Sequence, residues 1–176
     1  VEYMPEALEF YYYWGLAHYQ KDQHDEALEV FKKGVRQVGE NSDKNMVSDF
    51  YSIMGDLYHT KKMNVEAYAA YDSALVYNPD NIGALNNYAY YLSLGKKNLD
   101  KAEEMSYRTV KAEPTNETYL DTYAWILFEK GKYAEARIYI DQAIQNGGSQ
   151  SSVVVEHCGD IYYQNGEREK AVEYWI

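Results

Sequence analysis

Two series of small residues run through this 176-residue chain in step with each other. Gly15, Gly55, Ala89, Ala124 and Gly159 form the first, at spacings of 40, 34, 35 and 35 residues. Ala27, Ala67, Ala102, Ala136 and Ala171 form the second, at 40, 35, 34 and 35. The second follows the first by 12 residues in every period but the third, where the offset is 13. A period of this length, sustained along the chain, means one supersecondary unit per period, each burying its apolar face on its neighbours. The short offset fits two helices joined by a tight turn. Where such helices cross, a residue without a bulky side chain lets the backbones approach. The expected fold is all-α, a stack of antiparallel helix pairs.

The flanks agree. Four residues before each first-series position stand Tyr11, Tyr51, Leu85, Leu120 and Val155, and three after it come His18, Tyr58, Leu92, Leu127 and Tyr162. Immediately before it stand Trp14, Met54, Tyr88, Tyr123 and Cys158, and Trp14, Tyr88, Tyr123 and Trp175 are expected to be packing residues. Four after each second-series alanine come Phe31, Tyr71, Ser106, Ile140 and Trp175. Polar and glycine residues fill the turns between, as at Lys61-Lys62-Met63, Gly131-Lys132 and Asn165-Gly166. The 40-residue first spacing leaves six extra residues near 40–46, expected as an extended second helix or a longer connection, and the third turn carries one extra residue.

These residues resemble the tetratricopeptide repeat, a helix-turn-helix of about 34 residues whose consensus carries an aromatic, a leucine-glycine pair, a tyrosine, an alanine, a phenylalanine and a closing proline. Pro79 and Pro114 stand at the closing position of the second and third repeats, Pro5 stands where a preceding repeat would end, and Gly147-Gly148 replaces the proline of the fourth. The resemblance implies a right-handed α-solenoid forming a single array over 1–176. Its repeats fall at about 8–41, 48–81, 82–116, 117–151 and an incomplete 152–176. No polar cap is visible at either end, so a longer array, or self-association through the ends, is expected.

Composition narrows the partner. The net charge of -11, from 17 basic and 28 acidic residues, repels nucleic acid phosphates and anionic lipid surfaces alike. No apolar run reaches the length of a membrane span. Tyrosine is in large excess, 21 against four phenylalanines, and suits half-buried helix faces where a ring packs and a hydroxyl stays wet. The single Cys158 can form no internal disulfide. Arrays of this kind resemble both bacterial envelope accessory proteins and cytoplasmic co-chaperones, which leaves the compartment open.

The resemblance implies that the first helix of each repeat lines a concave groove that takes peptides or protein segments. Read by offset from the first-series position, the candidate groove residues are Tyr12, Tyr13 and Tyr19 in the first repeat and Asp49 and Asp56 in the second. Asn86, Asn87 and Tyr90 follow in the third, Asp121, Trp125, Phe128 and Glu129 in the fourth, and Glu156, Asp160 and Tyr163 in the fifth. The full set of facing positions holds seven carboxylates, seven aromatics and no lysine or arginine. An acidic, aromatic surface favours a neutral or basic segment through Coulomb attraction and cation-π contact. It argues against the family members that grip a C-terminal carboxylate, which need basic residues there.

Catalytic and metal-binding readings are weak. His157 and Cys158 are adjacent on a helix and point about 100 degrees apart, so they cannot act as base and nucleophile. Asp56 with His59, and Glu156 with His157 and Asp160, each offer one histidine, short of the three or four ligands of a zinc site. No phosphate loop, nucleophile elbow or dinucleotide fingerprint occurs. The expected function is a non-enzymatic protein-interaction scaffold with no cofactor. The alternatives are an assembly or regulatory segment of a larger enzyme or complex, and a small-molecule or glycan binder.

Overall fold

The computed structural model describes residues 5–176, and among them lie ten α-helices, one 3-10 turn and no strand. The helices are α1 (Pro5–Tyr19), α2 (His24–Val35), α3 (Lys44–Thr60), α4 (Asn64–Tyr77), α5 (Ile82–Leu94), α6 (Leu99–Ala112), α7 (Glu117–Glu129), α8 (Tyr133–Gln145), α9 (Ser152–Gln164) and α10 (Arg168–Trp175). They fall into two compact units, divided within the first turn of α5, after Ala84. Pro5 opens α1, and its reading as the end of an earlier repeat concerns residues outside those described.

In the first unit α1 packs on α2, α2 on α3 and α3 on α4. Leu8, Leu28, Phe31, Val47, Phe50 and Leu57 form its core, with Phe31 and Phe50 edge-to-face at 5.4 Å. In the second, α6 packs on α7, α7 on α8, α8 on α9 and α9 on α10. Leu120, Ala124, Leu127, Ile140, Cys158 and Ile161 are fully buried at its centre. Lys101 of α6 lies over the Tyr88 ring of α5, 4.4 Å from its centroid, and donates to the phenol oxygen at 3.0 Å.

The crossing of each hairpin is a matter of size. A Cβ on Gly15 would lie 2.6 Å from the Phe31 ring, one on Gly55 2.7 Å from the Tyr71 ring, and one on Gly159 2.3 Å from Trp175. The two periods with alanine in the first series carry Ser106 and Ile140 at the facing place, both buried and both smaller than the aromatics. Glycine therefore goes with an aromatic partner and alanine with a smaller one. Gly34 repeats the device between hairpins, where an added Cβ would lie 2.4 Å from Phe50 of α3.

All five hairpin turns close alike. The residue seven after the first-series position has positive φ: Asp22, Lys62, Lys96, Gly131 and Gly166. Its N–H bonds back to the carbonyl three residues earlier, and the next N–H reaches the carbonyl five earlier, as Lys62 N to His59 O at 2.8 Å and Met63 N to Tyr58 O at 2.9 Å. These bonds satisfy carbonyls at the end of the first helix. The extra residue of the third turn is Asn98, also at positive φ, directly before α6.

One open alternative closes on the longer connection, and one expectation needs correction. The surplus in the first period does not lengthen α2, which ends at Val35. It forms the connection at 36–43 and extra residues at the start of α3, where Asp43 caps the helix by accepting from Met46 N at 2.9 Å. Trp14 and Trp175, expected as packing residues, keep 39% and 46% of their surface exposed, whereas Tyr88 and Tyr123 are buried. Trp175 still covers Gly159 with one edge of its indole.

The crossing rule makes a direct prediction. Gly55→Ala must displace the fully buried Tyr71 ring and should cost about 1–3 kcal/mol in urea unfolding, the usual penalty of overpacking. At Gly83, in the first turn of α5, an added Cβ meets nothing closer than 3.6 Å, so Gly83→Ala should be neutral or stabilising by up to about 1 kcal/mol.

Candidate functional site

The second unit gathers six of the candidate residues around one buried pair. On α7, Asp121 and Trp125 are four residues apart and so share a face. His157 comes from α9, and its Nδ1 lies 2.9 Å from Asp121 Oδ1, with both side chains over nine-tenths buried. The imidazole stacks on Trp125 (centroids 4.0 Å, 14° between planes), and Trp125 stacks on Phe128 at 4.7 Å. Tyr90 of α5 stands on the other side of the imidazole at 6.4 Å, and Tyr133 meets Phe128 at 5.4 Å. A column of rings thus runs across three first helices, with a hydrogen-bonded acid at its middle.

Beside the column is a recess of about 240 Å³. Asn86, Asn87 and Tyr90 line it from α5, Thr118 and Asp121 from α7, and Val153 from α9. No lysine or arginine lines it. Burial raises the Tyr90 phenol above its ordinary pKa, helped by the carboxylates of Asp121 and Glu156. Two buried polar atoms at this site have no hydrogen-bond partner, Asn86 Oδ1 and Trp125 Nε1. The Asn86 amide nitrogen makes only a long contact, 3.4 Å, to Asn87 Oδ1.

The other candidates in this unit are differently engaged. Glu129 is not open acid: Lys96, from the turn before α6, reaches it at 2.9 Å, and the Glu129 side chain is only 9% exposed. The lysine pKa is raised by that bond. A basic residue outside the expected positions therefore neutralises one of the seven carboxylates. Glu156 is exposed. Asp160 has its pKa raised by burial and by Glu156. Tyr163 is half-exposed against Trp175, with Arg168 over its ring at 5.6 Å.

In the first unit the carboxylates serve tyrosines and asparagine. Asp49 Oδ1 accepts from Asn81 Nδ2 at 2.9 Å, and Asp56 accepts from the buried Tyr71 hydroxyl. Tyr12 packs between Phe50 at 5.4 Å and Tyr13 at 5.6 Å, and Tyr13 is largely exposed. Burial, then Asp49, raises the Tyr12 phenol, while burial, then Asp56, raises that of Tyr19. Tyr12 thus lies near Asp49 and Tyr19 near Asp56.

The Asp121–His157 pair was not foreseen, although both residues stood at facing positions one repeat apart. The signal was an acid at the third place before one small residue and a histidine at the second place before the next. Among the described residues no group of three His, Cys, Asp or Glu could hold a metal ion, and no helix is long and apolar enough to cross a membrane. The Cys158 thiol is fully buried, and burial pushes its pKa up to about 12.

Tetratricopeptide-repeat models match residues 1–42 and 118–146, one in each unit. Two stretches of the chain, one in each unit, are thus similar to the tetratricopeptide repeat. A TPR repeat-containing protein of Pseudomonas aeruginosa is 29% identical over 126 residues, which cover 70% of this chain and 20% of that protein. The chain thus spans about a fifth of the length of that relative. Among solved structures, MamA from Desulfovibrio magneticus RS-1 superposes with a TM-score of 0.79 at 16% identity, covering 98% of this chain and 93% of the other. PilF of Pseudomonas aeruginosa gives 0.77 at 20%, covering 97% and 74%. At these identities the likeness is one of tetratricopeptide fold.

Within the repeat that carries Asp49, burial is the largest influence on the carboxyl and raises its pKa, with the Asn81 hydrogen bond opposing. The folded chain therefore binds this proton more tightly than the unfolded one. The favourable contribution is complete below the ordinary carboxylate pKa of about 4 and is lost as pH rises through the raised value. Asp49→Asn should be more stable than the native chain at pH 7 in paired urea melts, with the gain shrinking towards pH 4. A variant less stable at pH 7 would show that the Asn81 bond to the charged form outweighs burial.

Proposed function

We propose that this chain is a non-catalytic scaffold that holds a peptide or protein segment against the first helices of its tetratricopeptide repeats, with the Asn86–Tyr90–Asp121 recess as the principal contact in the second unit. The observation that carries this reading is the convergence of hydrogen-bonding side chains and rings from three successive first helices on one recess. Asparagine and threonine groups suit the backbone and side chains of an extended segment, and the column of rings gives it an apolar wall.

Size separates this from the binding of a free metabolite. Pockets that enclose a drug-sized molecule run to roughly 300–1,000 Å³, and at about 240 Å³ the recess suits one side chain of a longer ligand. Charge sets the class of segment. With no basic side chain in the lining, a C-terminal carboxylate has no partner here, whereas a neutral or basic segment meets acceptors and ring faces. A net charge of -11 works in the same direction at longer range and opposes nucleic acid as a partner.

Panning a random-peptide display library on the immobilised chain tests the proposal. Binders should be enriched, should be neutral to basic, and should weaken as salt is raised, since screening reduces the attraction. Tyr90→Ala should lower their affinity at least tenfold with the circular dichroism spectrum unchanged. A library that yields no binder, or binders indifferent to Tyr90→Ala, would remove it.

A further inference from the structure

The recess contains a cost that packing alone does not explain. Asn86 is 95% buried, because only 5% of its surface is exposed, yet its Oδ1 accepts no hydrogen bond. A buried, unsatisfied acceptor is destabilising, and a leucine of similar size would avoid that cost. Nearby, His157 holds Asp121 through Oδ1, which leaves Oδ2 for another donor. The Thr118 hydroxyl and the ring of Tyr90 complete the lining from two further directions. Acceptors and a ring face thus converge on a space with no lysine or arginine of its own.

We infer that the recess is a subsite for one lysine side chain of the bound segment, with the ammonium donating to Asn86 Oδ1 and Asp121 Oδ2 and lying against Tyr90; this rests on the scaffold reading above. An ammonium carries three donors directed tetrahedrally, which matches separate acceptors on different helices. A guanidinium gains most from a two-pronged bond to both oxygens of one carboxylate. That mode is disfavoured here, since one of the two oxygens already holds His157. The subsite therefore prefers lysine to arginine, and both to an uncharged chain of equal length.

The test is an NMR titration of the isotope-labelled chain with acetyl-Ala-Ala-Lys-Ala-Ala-amide and its arginine and norleucine counterparts. The lysine peptide should shift the Asn86 side-chain amide and Trp125 indole signals saturably, with the arginine peptide weaker and the norleucine peptide at least tenfold weaker. Asn86→Leu should abolish the lysine preference while melting at the same or a higher temperature. Thr118→Val, at an exposed position, should lower lysine affinity without affecting the melt. Equal binding of lysine and norleucine peptides would overturn the subsite and leave the scaffold standing, as would shifts confined to residues away from the recess. Failure of all three peptides would overturn the subsite, and the display experiment then decides the scaffold separately. Asn86→Leu melting far below the native chain would make the asparagine structural and overturn the inference too.

Discussion

At each hairpin crossing the backbone of the first helix lies against one side chain of the second, and where that side chain is aromatic the first helix offers glycine. Gly15 meets Phe31, Gly55 meets Tyr71 and Gly159 meets Trp175, with no room for a Cβ in any of the three. Ala124 goes with Ile140 and Ala89 with Ser106. This contact fixes how closely the two helices of a hairpin approach, and hence which residues of the first helix turn outward. Its energy exceeds that of the polar contacts around it. A fully buried large side chain such as Phe31 contributes about 1.5–3 kcal/mol, while a solvent-screened ion pair such as Lys61 with Asp25 contributes little.

Most of the helical framework was legible in the amino-acid sequence because the crossing contact leaves a periodic trace. The small residues recur in phase, and the turn beyond each lies where the offset of 12 or 13 requires. What was not legible was local. The surplus of the first period became a connection and an earlier start to α3, because Asp43 caps that helix further ahead of its small residue than Asn116 and Ser151 cap α7 and α9. Asp22, Lys62 and Lys96 adopt positive φ without being glycine, so those turns lack the usual residue that marks them. Trp14 and Trp175 looked like core residues by offset, yet their large rings lie only partly under cover.

The site was legible as a set of positions and opaque as a set of interactions. Offsets identified Asn86, Asn87, Tyr90 and Asp121, and these four share the recess. They did not reveal that Asp121 would be buried against His157, because that bond joins neighbouring repeats and depends on how far one first helix is set from the next. Nor did they reveal that Lys96 would reach Glu129 from a turn, since a long flexible side chain is not confined to the face of its own residue. The acid count along the facing positions therefore overstated the open negative charge. Two of the carboxylates in the first unit are likewise engaged, Asp49 with Asn81 and Asp56 with Tyr71.

If size complementarity at the crossing organises each repeat, the two residues of a crossing must be energetically coupled. A double-mutant cycle at Gly15 and Phe31 measures this directly by urea unfolding. Gly15→Ala should cost more than about 1 kcal/mol in the native background and distinctly less when Phe31 is first replaced by isoleucine, giving a coupling energy within the range of about 0.5–3 kcal/mol found for contacting residues. Additive effects of the two substitutions would contradict the account, because they would show that the crossing does not depend on the fit between that glycine and that ring.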